Sequence, residues 1–342
     1  MSPPKAPTFV VVGGRTVHSI VFGDVEGCMG VGGGGGPPPP PPAGHSVNPN
    51  STFLRFPDRP AARIIALPAY LGEAFEVAGI KWISSFPENV AHGIPRASAV
   101  LVLNDSASGY PFACLEASIV SAARTAASAV LAARACTEGR LRPRTLGIVG
   151  NGLIARYHYE FFVRTGWTFP NIRLYDAAPG ESRRFAERLA LDARHAVVHD
   201  EAVEPLLRES DLILFATTAG APWVPEIRLF AHNPIVLNIS LRDLGTDVIL
   251  GSYNVVDDIG HVLNANTSPH LTEQRVGHRD FIHATIPQLL TGERRPGTDR
   301  PVVVSPFGLG VLDLAVGQWV YDRAKARGEL VDVPGFFWEL TR

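Results

Sequence analysis

Cysteine is scarce in this 342-residue chain: Cys28, Cys114 and Cys136 are the only three, with no CxxC pair and no histidine at metal-ligand spacing. No structural zinc site is expected, and the thiols read as reduced, buried, small hydrophobes. A surplus of either charge is also missing. With 31 Lys and Arg against 33 Asp and Glu, the formal net charge is −2. That balance offers no field to hold a polyanion, so nucleic acid is not expected as the main partner. No uninterrupted apolar run reaches the roughly 18 residues that span a bilayer. The start, Met1 to Pro7, carries no basic segment followed by an apolar stretch. Neither insertion nor export is expected, which points to the cytosol and to no membrane partner.

What is present is 46% hydrophobic and 19% charged residues, the composition of a globular chain with room for two domains. One segment stands apart: residues 30–43 read GVGGGGGPPPPPPA. Glycine loses too much backbone entropy and proline lacks the N–H for a helix there, so an exposed linker running into polyproline II is expected. Beyond it, β-rich runs at Thr52–Phe56, Arg63–Leu67, Val77–Ser85 and Ala99–Asn104 predict a mostly antiparallel meander. The alanine-rich stretch Leu115–Ala135, free of Gly and Pro, predicts a long helix leading out of this first domain.

Strand and helix then alternate: strands at Thr145–Val149, Ile172–Tyr175, Ala196–His199, Asp211–Ala216 and Ile235–Ile239, helices at Leu153–Arg164, Glu181–Leu191 and Glu201–Arg208. Near-continuous apolar strands are what burial on both faces of a parallel sheet demands. The fold class expected is therefore α/β: a Rossmann-type doubly wound parallel sheet at 126–304, plus a mixed α+β domain from 1–125 and 305–342. A final helix is expected over Gly308–Arg327.

The first strand of the alternating region runs into Gly150, Asn151, Gly152, Leu153, Ile154 and Ala155, the GxGxxA spacing of a dinucleotide site. The first glycine permits the tight turn, the second lets backbone approach a pyrophosphate, and the small third residue lets helix and strand pack closely. The helix N-terminus adds N–H groups for the phosphates. Asp176 closes the next strand, 26 residues beyond Gly150. Its carboxylate suits a ribose 2′-hydroxyl and repels a 2′-phosphate, which favours NAD over NADP. Arg183 and Arg184 lie further on, on the next helix, and read as solvated. Thr217 and Thr218 follow the fourth strand at the sheet's carboxyl edge, placed either to meet the cofactor or to bond local backbone.

Cationic side chains sit within apolar text at Arg55, Lys81 and Arg124. Each must pair with an acid, reach solvent or face an anionic ligand. Lys81 could snorkel from a strand edge, and Arg124 could pair with Glu116 or another acid.

The text FLRFPD (53–58), AGIKWISSFPEN (78–89), PRASAVLVLND (95–105), SAARTAASA (121–129), VGNGLIA (149–155), LNISLRDL (237–244) and SPFGLGVLDLAVG (305–317) resembles the ornithine cyclodeaminase and μ-crystallin superfamily. Within it, KWISSFP with LNISLRD is similar to the branch that makes 2,3-diaminopropionate for siderophores and peptide antibiotics. The resemblance implies NAD-dependent oxidative hydrolysis of N-(2-amino-2-carboxyethyl)-L-glutamate to 2,3-diaminopropionate and 2-oxoglutarate, by a homodimer whose mixed domain binds substrate and dimerises. It further implies that Arg55, Lys81 and Arg124, with Arg96 or Arg242, hold a substrate of several carboxylates, that Lys81 helps orient the reacting carbon, and that Asp243 is the catalytic aspartate. Taken alone, Asp243 reads as an ion pair with Arg242 or a turn residue before Gly245. Asn264 and His270 read as loop-stabilising. The rival activities are ornithine cyclisation or cyclic-imine reduction, and a μ-crystallin-like protein that binds NAD(P)H and a ligand without turnover. The chain departs from the superfamily between Val25 and Ser46, where the Gly and Pro run replaces an amphipathic helix.

Overall fold

In the computed structural model, which describes residues 7–32, 46–72 and 75–340, the chain folds as two units: Met1–Arg124 with Leu309–Arg342, and Thr125–Gly308. The first opens with β1 (Val10–Val12), α1 (Gly14–Gly23) and α2 (Val25–Gly32), then β2 (Ser46–Val47), β3 (Thr52–Phe56), β4 (Arg59–Leu71), β5 (Val77–Ser85), β6 (Ala97–Asp105), β7 (Pro111–Glu116) and the start of α3 (Ser118–Thr137). Residues 33–43, the rest of the Gly/Pro segment, lie outside the described residues. Its first three residues correct the expectation that none of it is helical, because they close α2. Burial of Val25, Cys28 and Met29 on a helix that packs against the C-terminal helix outweighs the glycine penalty.

The long helix also begins later than Leu115, since Leu115 and Glu116 belong to β7 and the Glu116 carboxylate accepts from the N–H groups of Ser118 and Ile119. By length and composition α3 could cross a membrane, yet 83% of its apolar window is buried inside the protein. Its alanines serve close packing instead.

The second unit carries β8 (Thr145–Val149), α4 (Leu153–Arg164), β9 (Asn171–Tyr175), α5 (Glu181–Leu189), β10 (Ala196–His199), α6 (Val203–Glu209), β11 (Leu212–Phe215), β12 (Ile235–Asn238), α7 (Thr246–Leu250), β13 (Tyr253–Val256), α8 (Ile259–Val262), α9 (Ser268–Val276), β14 (Ile282–Thr285), α10 (Ile286–Leu290) and β15 (Val302–Ser305). All eight strands are parallel, in the order β10-β9-β8-β11-β12-β15-β13-β14. Every residue of β11, β12 and β15 is buried, as strands covered on both faces must be.

The chain then completes the first unit with α11 (Gly310–Ala326) and β16 (Val331–Asp332). That unit's sheet runs β16-β1-β7-β6-β5-β4-β2, with β3 also paired to β4. Every pair is antiparallel except β1 with β7. Helix α11 lies on β4, β5 and β6. It comes close because Gly317 faces Leu101, whose Cδ2 stands 2.1 Å from where a Cβ would be. Asp313, four residues earlier on the same helical face, is thereby pressed onto the sheet.

Candidate active site

In the second unit the strand order reverses direction at β8, which lies between β9 and β11, and this is the switch point where open α/β sheets take ligands. The register aligns Val149 with both Tyr175 and Phe215, so Gly150, Asp176 and Ala216 emerge together at the carboxyl edge. Gly150 has φ +86°, and a Cβ there would lie 2.7 Å from the Ala216 carbonyl oxygen. Only glycine meets both conditions. Gly152 differs: a Cβ there would find no atom within 4 Å. Nothing in the protein demands its smallness, which leaves the space free for a ligand that must touch backbone. Helix α4 starts from Gly152 with no side-chain cap, so its first-turn N–H groups remain available to an anion.

Asn151 is buried, and its Oδ1 has no hydrogen-bond partner. Asp176 Oδ2 accepts from the Asn151 N–H at 2.7 Å and Oδ1 from the Ala178 N–H at 2.9 Å. Each oxygen keeps a lone pair for a further donor. Ala155 is buried against the strand, and Leu153 is exposed. Arg184 pairs with Glu181 on exposed α5. These residues fit a dinucleotide with a free ribose hydroxyl.

Asp243 follows β12 at the same edge and is 0% exposed. Its Oδ1 accepts from the Thr217 hydroxyl at 2.6 Å and the Trp223 indole N–H at 2.8 Å, and its Oδ2 accepts from the Ser240 hydroxyl. The backbone explains the indole: the N–H groups of Trp223 and Val224 both donate to the Asp243 carbonyl. The Arg242 guanidinium donates to the Ala265 carbonyl. Leu241, between Ser240 and Arg242, is held at φ +68°. Thr217 also accepts from the Ala219 N–H, and Thr218 is exposed. Asn264 donates to the Gly260 carbonyl, while His270 accepts from the Asn266 N–H and contacts Gln274.

In the first unit Lys81 is 1% exposed, in the middle of β5 between β4 and β6, so the edge-snorkelling reading is corrected. Its ammonium donates to Asp313 Oδ2 at 2.6 Å and to the Ser121 hydroxyl at 3.2 Å. Arg124 Nε donates to the other oxygen, Asp313 Oδ1, at 3.0 Å, so its acid is Asp313 and not Glu116. Two buried cations thus share one fully buried carboxylate, leaving one positive charge uncompensated among the described residues. Burial pulls Lys81 down to about 8; Asp313 opposes the fall and Arg124 adds to it.

Arg55 and Arg96 lie elsewhere on that sheet. Arg55 is exposed on β3, 5.5 Å above the Phe53 ring, and Arg96 donates to the Ser85 hydroxyl at 2.8 Å. Ser85 is four residues along β5 from Lys81 and on the same face, about 13 Å away.

A sequence profile of the ornithine cyclodeaminase/mu-crystallin family matches residues 43–328. The chain belongs to that family. Among characterised relatives it is similar to the N-((2S)-2-amino-2-carboxyethyl)-L-glutamate dehydrogenase of Staphylococcus aureus, 27% identical over 78% of this chain and 80% of that protein. Among solved structures it shares its fold with the Δ1-pyrroline-2-carboxylate reductase of Thermococcus litoralis in complex with NADH and L-proline, with a TM-score of 0.82, 22% identity, and 95% of this chain and 99% of that one covered. A dimeric archaeal alanine dehydrogenase with bound NAD superposes with a TM-score of 0.80 at 21% identity, over 96% of this chain and 100% of that one.

Reading this cyclodeaminase-family sequence for motifs missed Asp313, Ser121, Trp223 and Ser240. Asp313 was legible only as one acid in the apolar text GVLDLAVG, and Ser121 only as a hydroxyl three residues before Arg124 on one helix. Trp223 carried no signal, because its meeting with Asp243 depends on a loop pairing that spacing does not encode. Cys28 and Cys136 are buried as expected, and Cys114 is half-buried.

Proposed function

We propose that the protein is an NAD-dependent oxidoreductase that cleaves N-(2-amino-2-carboxyethyl)-L-glutamate with water to 2,3-diaminopropionate and 2-oxoglutarate, a building-block reaction for a siderophore or peptide antibiotic. The observation that carries the reading is the positive charge left over where Lys81 and Arg124 share Asp313, joined by Arg55 and Arg96 on the same sheet. These cations outnumber what a single carboxylate needs. Gly150, Asn151, Gly152, Leu153, Ile154 and Ala155 would hold the pyrophosphate and Asp176 the ribose, with Thr217 and Thr218 beside them. When bound, NAD supplies the acceptor for the hydride leaving the glutamyl α-carbon.

Lys81 and Arg124 each keep donors that Asp313 and Ser121 do not use, and these grip a substrate carboxylate and fix the reacting carbon. Asp243 takes the proton from the water that adds to the substrate imine. It is buried, so the proton travels through the half-buried hydroxyl of Thr217 or Ser240, each already bonded to it.

The enzyme works as a cytosolic homodimer in this reading. Support comes from the sheet of the first unit, which carries the exposed apolar side chains Leu54, Trp82, Val100, Val11 and Val331 on one face. Mixing the protein with NAD and the glutamate conjugate should produce NADH, followed by its absorbance; no NADH refutes the assignment. A second reading, reduction of a cyclic imino acid such as Δ1-pyrroline-2-carboxylate, draws on the single leftover charge at Lys81 and Arg124, which suffices for a monocarboxylate. Consumption of NADH with that substrate, and none formed from the conjugate, would establish it.

A further inference from the structure

Three guanidinium groups gather at one end of the first unit's sheet. Arg63 on β4 pairs directly with Arg55 on β3 and with Ser85 on β5, so all three residues project from one face. Arg96, which enters β6, reaches the same spot by donating to the Ser85 hydroxyl. Like charges directly opposite on neighbouring strands are destabilising, and the cross-strand pair of Arg55 with Arg63 is such a case. Among the described residues no carboxylate lies within ion-pair distance of Arg55, Arg63 or Arg96, in contrast to Lys81 and Arg124, which share Asp313. Arg63 and Arg96 are also half-buried, where an unpaired charge is costly. Burial depresses both guanidiniums, and the neighbouring arginine depresses each further, Arg55 acting on Arg63 and Arg63 on Arg96. Three cations kept together with no acid among the described residues suit an anion supplied from outside.

We propose that Arg63, with Arg55 and Arg96, forms a second anion subsite that takes a carboxylate-bearing arm of the substrate, and that Arg63 sets the preference for a polycarboxylate over a monocarboxylate. This rests on the proposed function and deepens it. Lys81 and Arg124 hold one carboxylate, and the arginine cluster lies on the same sheet face, about 13 Å further along the strand. Long arginine side chains and an extended polycarboxylate bridge that separation. Arg63 is the discriminating member because it stands between Arg55 on one side and the Ser85 hydroxyl that Arg96 holds on the other, and among the described residues no carboxylate pairs with it.

The test pairs a change in the protein with a change in the ligand. Wild-type protein and Arg63→Gln are compared for binding and turnover of the glutamate conjugate and of its γ-carboxamide analogue, with Arg63→Lys as the conservative variant. Arg63→Gln should lose about ten- to a hundredfold in kcat/KM and in affinity for the conjugate, the cost of a lost charged hydrogen bond, and less than about threefold for the amide. Arg63→Lys should recover part of the loss. Equal losses on both ligands, or no loss on either, overturn the subsite. Binding measured by calorimetry separates this from the reaction itself. If wild-type protein makes no NADH yet binds the conjugate more tightly than the amide in an Arg63-dependent way, the reaction is wrong and the subsite stands. If wild-type protein binds neither ligand, both are wrong.

Discussion

Replacing Asp313 by Asn removes the acid that Lys81 and Arg124 share, and the structure sets the size of the effect. Both partners are buried, at 2.6 and 3.0 Å from its oxygens. Breaking a buried pair by deleting one member costs about 3–5 kcal/mol, because the remaining charge is left alone in a poor solvent. At the lower figure, a unit of roughly 150 residues should lose about 6–12 °C in Tm. Lys81 can escape part of the cost by shedding its proton. Its value of about 8 already lies below the 10.5 of free lysine, a gap of about 3 kcal/mol between its protonation states. A lysine whose folded value lies below its unfolded one makes stability rise with pH between the two. In the wild type that window runs from about 8 to 10.5. In Asp313→Asn the counterweight to burial is gone, so the window opens at lower pH. The Tm gap between the proteins should therefore be widest near pH 6 and narrow towards pH 9, read by thermal unfolding across buffers. A variant as stable as wild type at pH 6, or a gap that ignores pH, refutes the account of the triad.

The two glycines of the dinucleotide turn should part company on substitution. Gly150→Ala meets the Ala216 carbonyl and a left-handed backbone, and should lose about 1–3 kcal/mol of stability as well as NAD binding. Gly152→Ala meets no protein atom, so its melting should stay within about 0.5 kcal/mol of wild type while NAD affinity falls in a fluorescence titration; an unchanged affinity would remove the pyrophosphate from that position. Asp243→Asn turns an acceptor into a donor facing Thr217, Trp223 or Ser240. Turnover should stop while NAD affinity holds, at a cost of about 1–3 kcal/mol in stability, and an unaltered rate would remove Asp243 as the base. Burial pushes the Cys28 and Cys136 thiols up to about 12, so at pH 8 iodoacetamide should label neither in native protein and both on unfolding; early labelling of Cys28 or Cys136, by mass spectrometry, would contradict their packing.

The sequence by itself determined the parallel sheet and its turn, because those signals are local. The runs Thr145–Val149, Leu153–Arg164 and Ala196–His199 are the observed β8, α4 and β10 to the residue: β8 is buried and so apolar, the tight turn after it must carry glycine, and β10, an exposed edge strand, is legible from its β-branched valines. The later strands β13, β14 and β15 went unread: they are four residues each, too short for a periodic signal of their own, and only their register in the sheet shows them as strands. The same limit applies to the polar groups. Local text marked Lys81 and Arg124 as cations in need of a partner but could not say which acid would come. Asp313 lies 232 residues beyond Lys81, and only the close approach of α11 at Gly317 brings it there. Burial, charge balance and the meeting of three arginines on one sheet face depend on which distant strands become neighbours. Neighbourhood of that kind is a property of the folded chain and not of any stretch of it.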